Sequence, residues 1–277
     1  MKKIIFSTLT VIITLNSFGQ DAADKNVQAG LVGGVGLNFQ KMGTSYIATN
    51  GVGTDLTIGS NVNFGLTETI AFCTGAEFDF STLNYKAAGH QNTDIFYYHV
   101  DKDLIERGSY DPSNNQHQLY RLAERSQKSV YLTIPTMMVF RTNFIGYFRY
   151  FGKFGLRNSF LLSSKINDTG FNMDPDSPLG VATAAENLNM KAPGDMFFFR
   201  SAVGLAGGAE WNFSGSTCLM AEIGYYYGFT PLHTNRNIDK GKNYLFASDL
   251  NNGGGNDINL NNKATQSQLM LKVSILF

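Results

Sequence analysis

Past residue 26, side-chain polarity in this chain repeats with a period of two rather than the 3.6 of a helix, and it does so over eight separate stretches. In 27–39, Val27, Ala29, Leu31, Gly33, Val35, Leu37 and Phe39 alternate with Gln28, Gly30, Val32, Gly34, Gly36 and Asn38. In 55–66, Leu56, Ile58, Val62, Phe64 and Leu66 alternate with Asp55, Thr57, Gly59, Asn61, Asn63 and Gly65. The same dyad recurs near 70–85, 129–142, 147–162, 196–212, 218–230 and 265–277. Successive side chains of a strand point to opposite faces. The spacing therefore predicts eight strands, each long for a globular sheet.

The connections alternate too. Strands two and three are joined around Thr67, Glu68 and Thr69, strands four and five at 143–146, and strands six and seven at 213–217. The other four connections, about 41–54, 86–128, 163–195 and 231–264, are long and rich in Asn, Asp, Gly and Ser. Strict exchange of short and long connections is the mark of an up-and-down barrel in an outer membrane, with short periplasmic turns and long outer loops. An even strand number places both chain ends on the periplasmic side.

A soluble barrel would show the same alternation with its faces inverted, so the polar face decides. It carries Gly, Ala, Ser, Thr and Asn rather than the Lys and Glu of a solvated wall. Its charges are Arg141, Arg149, Lys153, Arg157, Arg200 and Lys272 against Asp55, Glu77, Asp79, Glu210 and Glu222. Small residues with nearly balanced charge suit a narrow, side-chain-filled lumen. The opposite face, with Leu132, Ile134, Phe140, Phe148, Tyr150, Leu205, Leu219, Ile223, Leu269, Leu271, Val273 and Ile275, suits lipid. Counting from the short turns puts Arg141, Arg149 and Glu210 low in the lumen. Glu77, Glu222, Lys153 and Lys272 fall in the middle, and Asp55, Asp79, Arg157 and Arg200 near the top. Each layer mixes signs, as buried charges require. The expected role of these residues is a structural ion-pair plug.

Residues 1–19 read as a secretory signal: Lys2 and Lys3, an apolar run from Ile4 to Leu15, and the small-x-small site Ser17, Phe18, Gly19. Cleavage leaves 20–277 as one barrel domain. Beyond this leader no apolar run approaches the roughly 18 residues of a spanning helix. The 22 basic residues equal the 22 acidic ones, which gives no electrostatic footprint for nucleic acid.

Other motifs yield little chemistry. The glycines of 30–36 are out of register for a nucleotide loop and sit inside a strand. The run 253–257 (Gly-Gly-Gly-Asn-Asp) resembles one calcium nonapeptide, a chemistry that needs stacked repeats. His90, His99, His117 and His233 fall in expected loops with no metal-ligand spacing, and no cofactor is expected. The stretch 94–110 is unusually apolar for a loop. It packs over the barrel rim, or Ile95, Phe96, Tyr97, Tyr98, Leu104 and Ile105 form a docking patch. On the same loop, 116–125 reads as a short helix. Cys73 and Cys218 fall on opposite walls, beyond the roughly 7 Å Cα reach of a disulfide, and are expected as free thiols.

Two segments resemble the PorT family of Bacteroidetes outer-membrane β-barrels, which are OmpA-like in shape. One is Tyr131-Leu132-Thr133-Ile134-Pro135, similar to that family's Tyr-Leu-x-Ile-Pro; members usually carry an acid where Thr133 stands, and they tolerate a mid-strand Pro. The other runs from Glu222 through Tyr225 to Gly228 and Phe229. The leader ending Phe18-Gly19-Gln20 is similar to leaders of that phylum. The C-terminal run Leu269, Leu271, Val273, Ile275, Phe277 resembles the signal read by barrel-assembly machinery. The resemblance implies an outer-membrane address, with some members linked to protein export and gliding.

The expectation is an all-β, eight-stranded antiparallel transmembrane barrel with long extracellular loops. Its expected role is non-enzymatic: structural, or binding an envelope protein through loop 86–128, as an accessory of a secretion or assembly complex. The expected partners are outer-membrane lipid and, during biogenesis, barrel-assembly machinery, with no nucleic acid. The rival readings are a barrel enzyme, which needs Ser, His and an acid gathered at the rim, and a small gated pore.

Overall fold

The computed structural model describes residues 27–89, 93–174, 182–214, 217–234, 243–248, 257–260 and 264–277. The expected leader, His90 and the glycines of 253–255 lie outside the described residues. The strands are β1 (Val27–Lys41), β2 (Ile47–Thr49), β3 (Gly53–Gly65), β4 (Ile70–Ala87), β5 (Asp94–Val100), β6 (Asp103–Ile105) and β7 (Gln118–Arg141). They continue as β8 (Phe148–Met173), β9 (Thr183–Met190), β10 (Phe199–Ser214), β11 (Thr217–Gly228), β12 (Phe246–Ser248), β13 (Ile258–Asn259) and β14 (Thr265–Leu276). Among the described residues, helix is limited to one 3-10 turn at Arg107–Ser109.

Eight of these strands form a closed antiparallel ring in the order β1, β3, β4, β7, β8, β10, β11, β14. β1 meets β14 from Gly30↔Leu276 to Lys41↔Thr265, so the ring of eight has no open edge. These eight are the strands that the alternation predicts. Inward positions are buried and outward ones exposed in register along each strand, as in the pattern iBiBiBeBeBeB of β14.

Outward residues define the membrane zone. On β7 they run apolar from Val130 to Phe140, broken by Thr136, and turn polar above it at Lys128, Ser126 and Glu124. That 11-residue span matches the ~9–11 residues a tilted strand needs to cross hydrocarbon. On β14 the band covers Leu269, Leu271, Val273 and Ile275, and Phe277 continues it just past the strand. Among the described residues no charged side chain points outward within this zone. Aromatic rings mark both borders. Phe148 stacks on Trp211 (centroids 6.0 Å apart) beside the short turns, and Phe160 meets Phe198 (5.8 Å) at the other end.

Pro135 is accommodated by an interrupted ladder. β4 and β7 pair at Thr74↔Thr136 and again at Glu77↔Thr133, with no rung between, while Pro135 keeps its partner Arg157 on β8. The missing N–H thus affects one side of the strand only.

Two expectations are corrected. The long connections are not simply loops: β7 begins at Gln118 and β8 runs to Met173, well above the membrane zone. Segment 116–125 is not a helix, because Tyr120 pairs with Tyr97 on one side and Asn172 on the other. Irregularities at Leu122/Glu124 and Val130/Tyr131 shift the phase of the alternation, and polar Arg125 and Gln127 point inward; together they hide the period of two. Above the ring, β5 pairs with β7, β12 with β5, β13 with β12, and β9 with β8. The long-loop end is therefore a folded roof.

Close strand approach shows at Gly204, which lies directly opposite Tyr226. A Cβ there would sit 2.1 Å from the Tyr226 ring, whereas one at Gly33 meets nothing. Gly204→Val should lower unfolding stability in lipid vesicles by about 1–3 kcal/mol. Gly33→Ala should leave it unchanged, both read from urea midpoints.

Candidate functional site

Because eight strands enclose little more than side-chain width, the inward charges face one another without bulk water. Low in the lumen, Arg149 Nη2 lies 2.6 Å from Glu210 Oε1, with Arg141 Nε 3.7 Å from the same carboxylate. In the middle, Lys153 Nζ meets Glu222 Oε2 at 2.5 Å and Lys272 Nζ meets Glu77 Oε1 at 2.7 Å. Above, Arg157 reaches both Glu77 and Asp79 at 2.8 Å, and Arg200 stands 4.0 Å from Asp79. Thr57 and Thr133 donate their hydroxyls to the two oxygens of Asp79 at 2.6 and 2.5 Å. Arg157 ties the middle layer to the upper one. Asp55 is the exception: it accepts from the Gln268 amide and forms no ion pair among the described residues.

Rings complete the filling. Arg200 lies 4.1 Å from the Tyr131 centroid and Arg157 4.9 Å from that of Tyr226. Cys73 and Cys218 are buried free thiols, packed with Met137, Val139 and Met220. The cavity lined by Glu77, Lys153, Arg157 and Glu222 measures about 20 Å³, room for a single water.

The roof has its own apolar core, built from Ile47, Tyr85, Ile95, Tyr97, Leu104, Tyr120, Leu122, Ile166, Met190, Tyr244, Ala247 and Leu260. At its centre Arg125 forms a bidentate pair with Asp168, Nε to Oδ1 and Nη2 to Oδ2 both at 2.7 Å, under the Tyr97 ring. Sequence reasoning missed this pair. Arg125 sits on the misread helix segment, and Asp168 lies in an Asn-Asp-Thr-Gly run that carries turn chemistry. The structure overturns the docking patch. Ile95, Phe96, Tyr97 and Leu104 are buried and Tyr98 and Ile105 half-buried, because β5 is covered by β7, β12 and β6.

The described histidines serve the roof. His99 Nδ1 donates to the Asp101 carbonyl (3.2 Å), and its Nε2 accepts from Asn187 Nδ2 (3.4 Å). Burial lowers its pKa below the ordinary 6.5, with the Asp101 carbonyl opposing the shift. His233 Nδ1 lies 3.1 Å from Asp195 Oδ2. Burial raises the Asp195 pKa, but His233, with Arg125 and the Gln127 amide, more than offsets this and holds the carboxyl below its usual range. His117 bonds the Asp111 amide (3.0 Å) at the exposed tip. Among the described residues no three His, Cys, Asp or Glu side chains converge on a point that could hold a metal.

A closed ring of eight antiparallel strands, with an apolar belt outside and paired charges inside, defines an outer-membrane β-barrel protein. Residues 18–234 match the family described as outer membrane protein beta-barrel domain, and the chain belongs to that family. It resides in the outer membrane. Among solved structures it is similar to the outer membrane protein OprG from Pseudomonas aeruginosa, at 12% identity over 94% of this chain and 98% of that one, TM-score 0.36. It is also similar to Ail, the attachment invasion locus protein of Yersinia pestis (10%, 91% and 100%, TM-score 0.32). A third similar structure is the outer membrane protease OmpT from Escherichia coli (10%, 94% and 99%, TM-score 0.29). A comparison with curated proteins finds no match.

Two tests follow from this geometry. Glu222→Leu strands Lys153 in the lumen and should cost about 3–5 kcal/mol, whereas adding Lys153→Met should restore most of that loss in the same urea titration. For His99 the neutral form is favoured in the folded roof, so an opened roof takes up its proton first. Roof stability should hold above pH ~6.5 and fall as pH drops toward the lower folded value. The protection of β5 amides, taken relative to their intrinsic exchange rates at each pH, should fall between neutral pH and pH ~5, and His99→Gln should flatten that fall.

Proposed function

We propose that this protein is a non-enzymatic outer-membrane barrel that acts through its roofed, long-loop end, structurally or by binding an envelope partner. The role is that of an accessory in a secretion or envelope-assembly complex. Under the rule that long loops face outward, that end is extracellular. The finer placement, a PorT-like barrel exported by the cleaved leader 1–19, belongs to the same reading. It is supported by where the residues of the resemblance fall: Tyr131 lies against Arg200, Pro135 sits in the interrupted ladder, and Glu222 pairs with Lys153.

The observation that carries the reading is the filled lumen: paired charges and rings occupy it, and the cavity among Glu77, Lys153, Arg157 and Glu222 holds about 20 Å³ beneath a packed roof. Such an interior neither passes solutes nor holds a substrate. Against the enzyme, His233 faces Asp195 but accepts no hydroxyl among the described residues. Partner contact then falls to the exposed tip 111–116, not to the buried residues of 94–100.

Planar-bilayer recording of the purified barrel should show no sustained openings; large, long-lived conductance overturns the reading. Crosslinking in intact outer membranes should capture an envelope protein that is lost when 111–116 is replaced by a Gly-Ser linker. Deleting all of 86–128 would instead remove β5 and part of β7 and unfold the roof.

A further inference from the structure

We propose that the outer wall of the barrel carries a site for the phosphate-bearing headgroup of an anionic lipid, formed by Lys165 and Lys191 where β8 leaves the hydrocarbon.

Apart from Asn158, the outward side chains of β8 are apolar or glycine up to Phe160 and Leu162, and they turn polar at Ser163 and Lys165. At that level a groove of about 380 Å³ opens on the wall between β8 and the segment that follows β9. Lys165, Lys191 and Ser163 contribute its polar side, and Leu162, Pro193 and Met196 its apolar one. The groove is large enough for one headgroup and too small for a folded partner.

Lysines dominate its edge, and of the neighbouring acids Asp195 is taken by His233. In the β7–β8 ladder Lys128 lies directly opposite Lys165, both exposed on the outward face. Like charges facing across antiparallel strands are destabilising. Lys128, Lys165 and Lys191 form no ion pair with any described carboxylate. Asp103, bridged to Lys191 through the backbone, leaves the ammonium unpaired among the described residues. Three unbalanced lysines at the edge of a lipid belt constitute a site for an anion.

The apolar side selects an amphiphile over a free ion. Leu162 is 55% exposed and Phe198 64% exposed. Phe198 meets Phe160, which continues the surface down into the belt. A lipid can set its phosphate between the lysines while its chains cover Leu162, Phe160 and Phe198. Inorganic phosphate would satisfy only the first half of that surface.

The test uses the whole barrel refolded into phosphatidylcholine vesicles with and without a minor fraction of phosphatidic acid. Native mass spectrometry of the extracted protein should find phosphatidic acid retained over phosphatidylcholine by roughly tenfold or more. Lys165→Gln combined with Lys191→Gln should bring the two lipids to near parity. Lys86→Gln, an exposed lysine on β4, should retain the preference. Phosphatidic acid should also raise the urea midpoint of the wild-type barrel and not that of the double variant. In phosphatidylcholine alone the double variant should match or exceed wild type, since it relieves repulsion. The proposal fails if the double variant retains phosphatidic acid as wild type does. It fails equally if inorganic phosphate at matched concentration displaces the lipid.

Discussion

In hydrocarbon an amide that finds no other amide stays bare, at a cost of several kcal/mol. The fold therefore depends on β1 reaching β14, the one pairing between strands distant in sequence that turns a meander into a ring. Every other pair in the ring joins strands that follow one another around the barrel. Closure at eight strands fixes the width of the interior, and the width fixes its chemistry. A lumen too narrow for bulk water must be filled by side chains, and any charge among them must find its partner there.

The ion pairs are better understood as register devices than as sources of stability. A buried pair repays its desolvation only in part. A one-residue slip of β8 against its neighbours, however, would turn Arg149, Lys153 and Arg157 toward lipid and bring Phe148, Phe154 and Leu156 inside. Each lysine or arginine exposed near the middle of the bilayer costs ~2–4 kcal/mol. The alternative registers are thus penalised by the same residues whose pairing is merely adequate in the native one. The bidentate Arg125–Asp168 pair extends this control above the membrane, just beyond the irregularity at Leu122/Glu124 where the β7–β8 register shifts.

Much of this was legible in the sequence because the physics of a barrel wall acts on adjacent residues. The period of two, the exchange of short and long connections, and the small, charge-balanced inner face are all local properties of the chain. The layers of lumen charge were readable to the extent that a height along a strand can be counted, and Arg149 and Glu210 do meet. Asp55 shows the limit: which neighbour takes a carboxylate depends on how strands stagger around the ring, and there an amide arrived first. The roof was not legible. Its inner face mixes Tyr, Arg, Gln and Asp, its strands carry bulges, and its pairings join β5 to β12 across half the sequence. The apolar stretch 94–100 signalled a buried surface, but nothing local told whether the chain itself or another protein would bury it.

The roof changes what the long connections can contribute. Loops of this length are commonly mobile binding surfaces, but here much of their apolar content goes into a second core seated on the upward extensions of β4, β7 and β8. That core draws on side chains from both ends of the chain, Ile47 and Leu260 among them, so it is complete only when the two ends are brought together. An exposed tip such as 111–116 is then carried on a rigid frame with its base fixed at both ends, by β5 with β6 and by β7. Changes at such a tip alter what is presented without reaching the hydrogen bonds that keep the wall sealed. The lumen and the belt are bound by the requirements of the membrane; sequence variation without loss of the fold is open mainly to the surface beyond them.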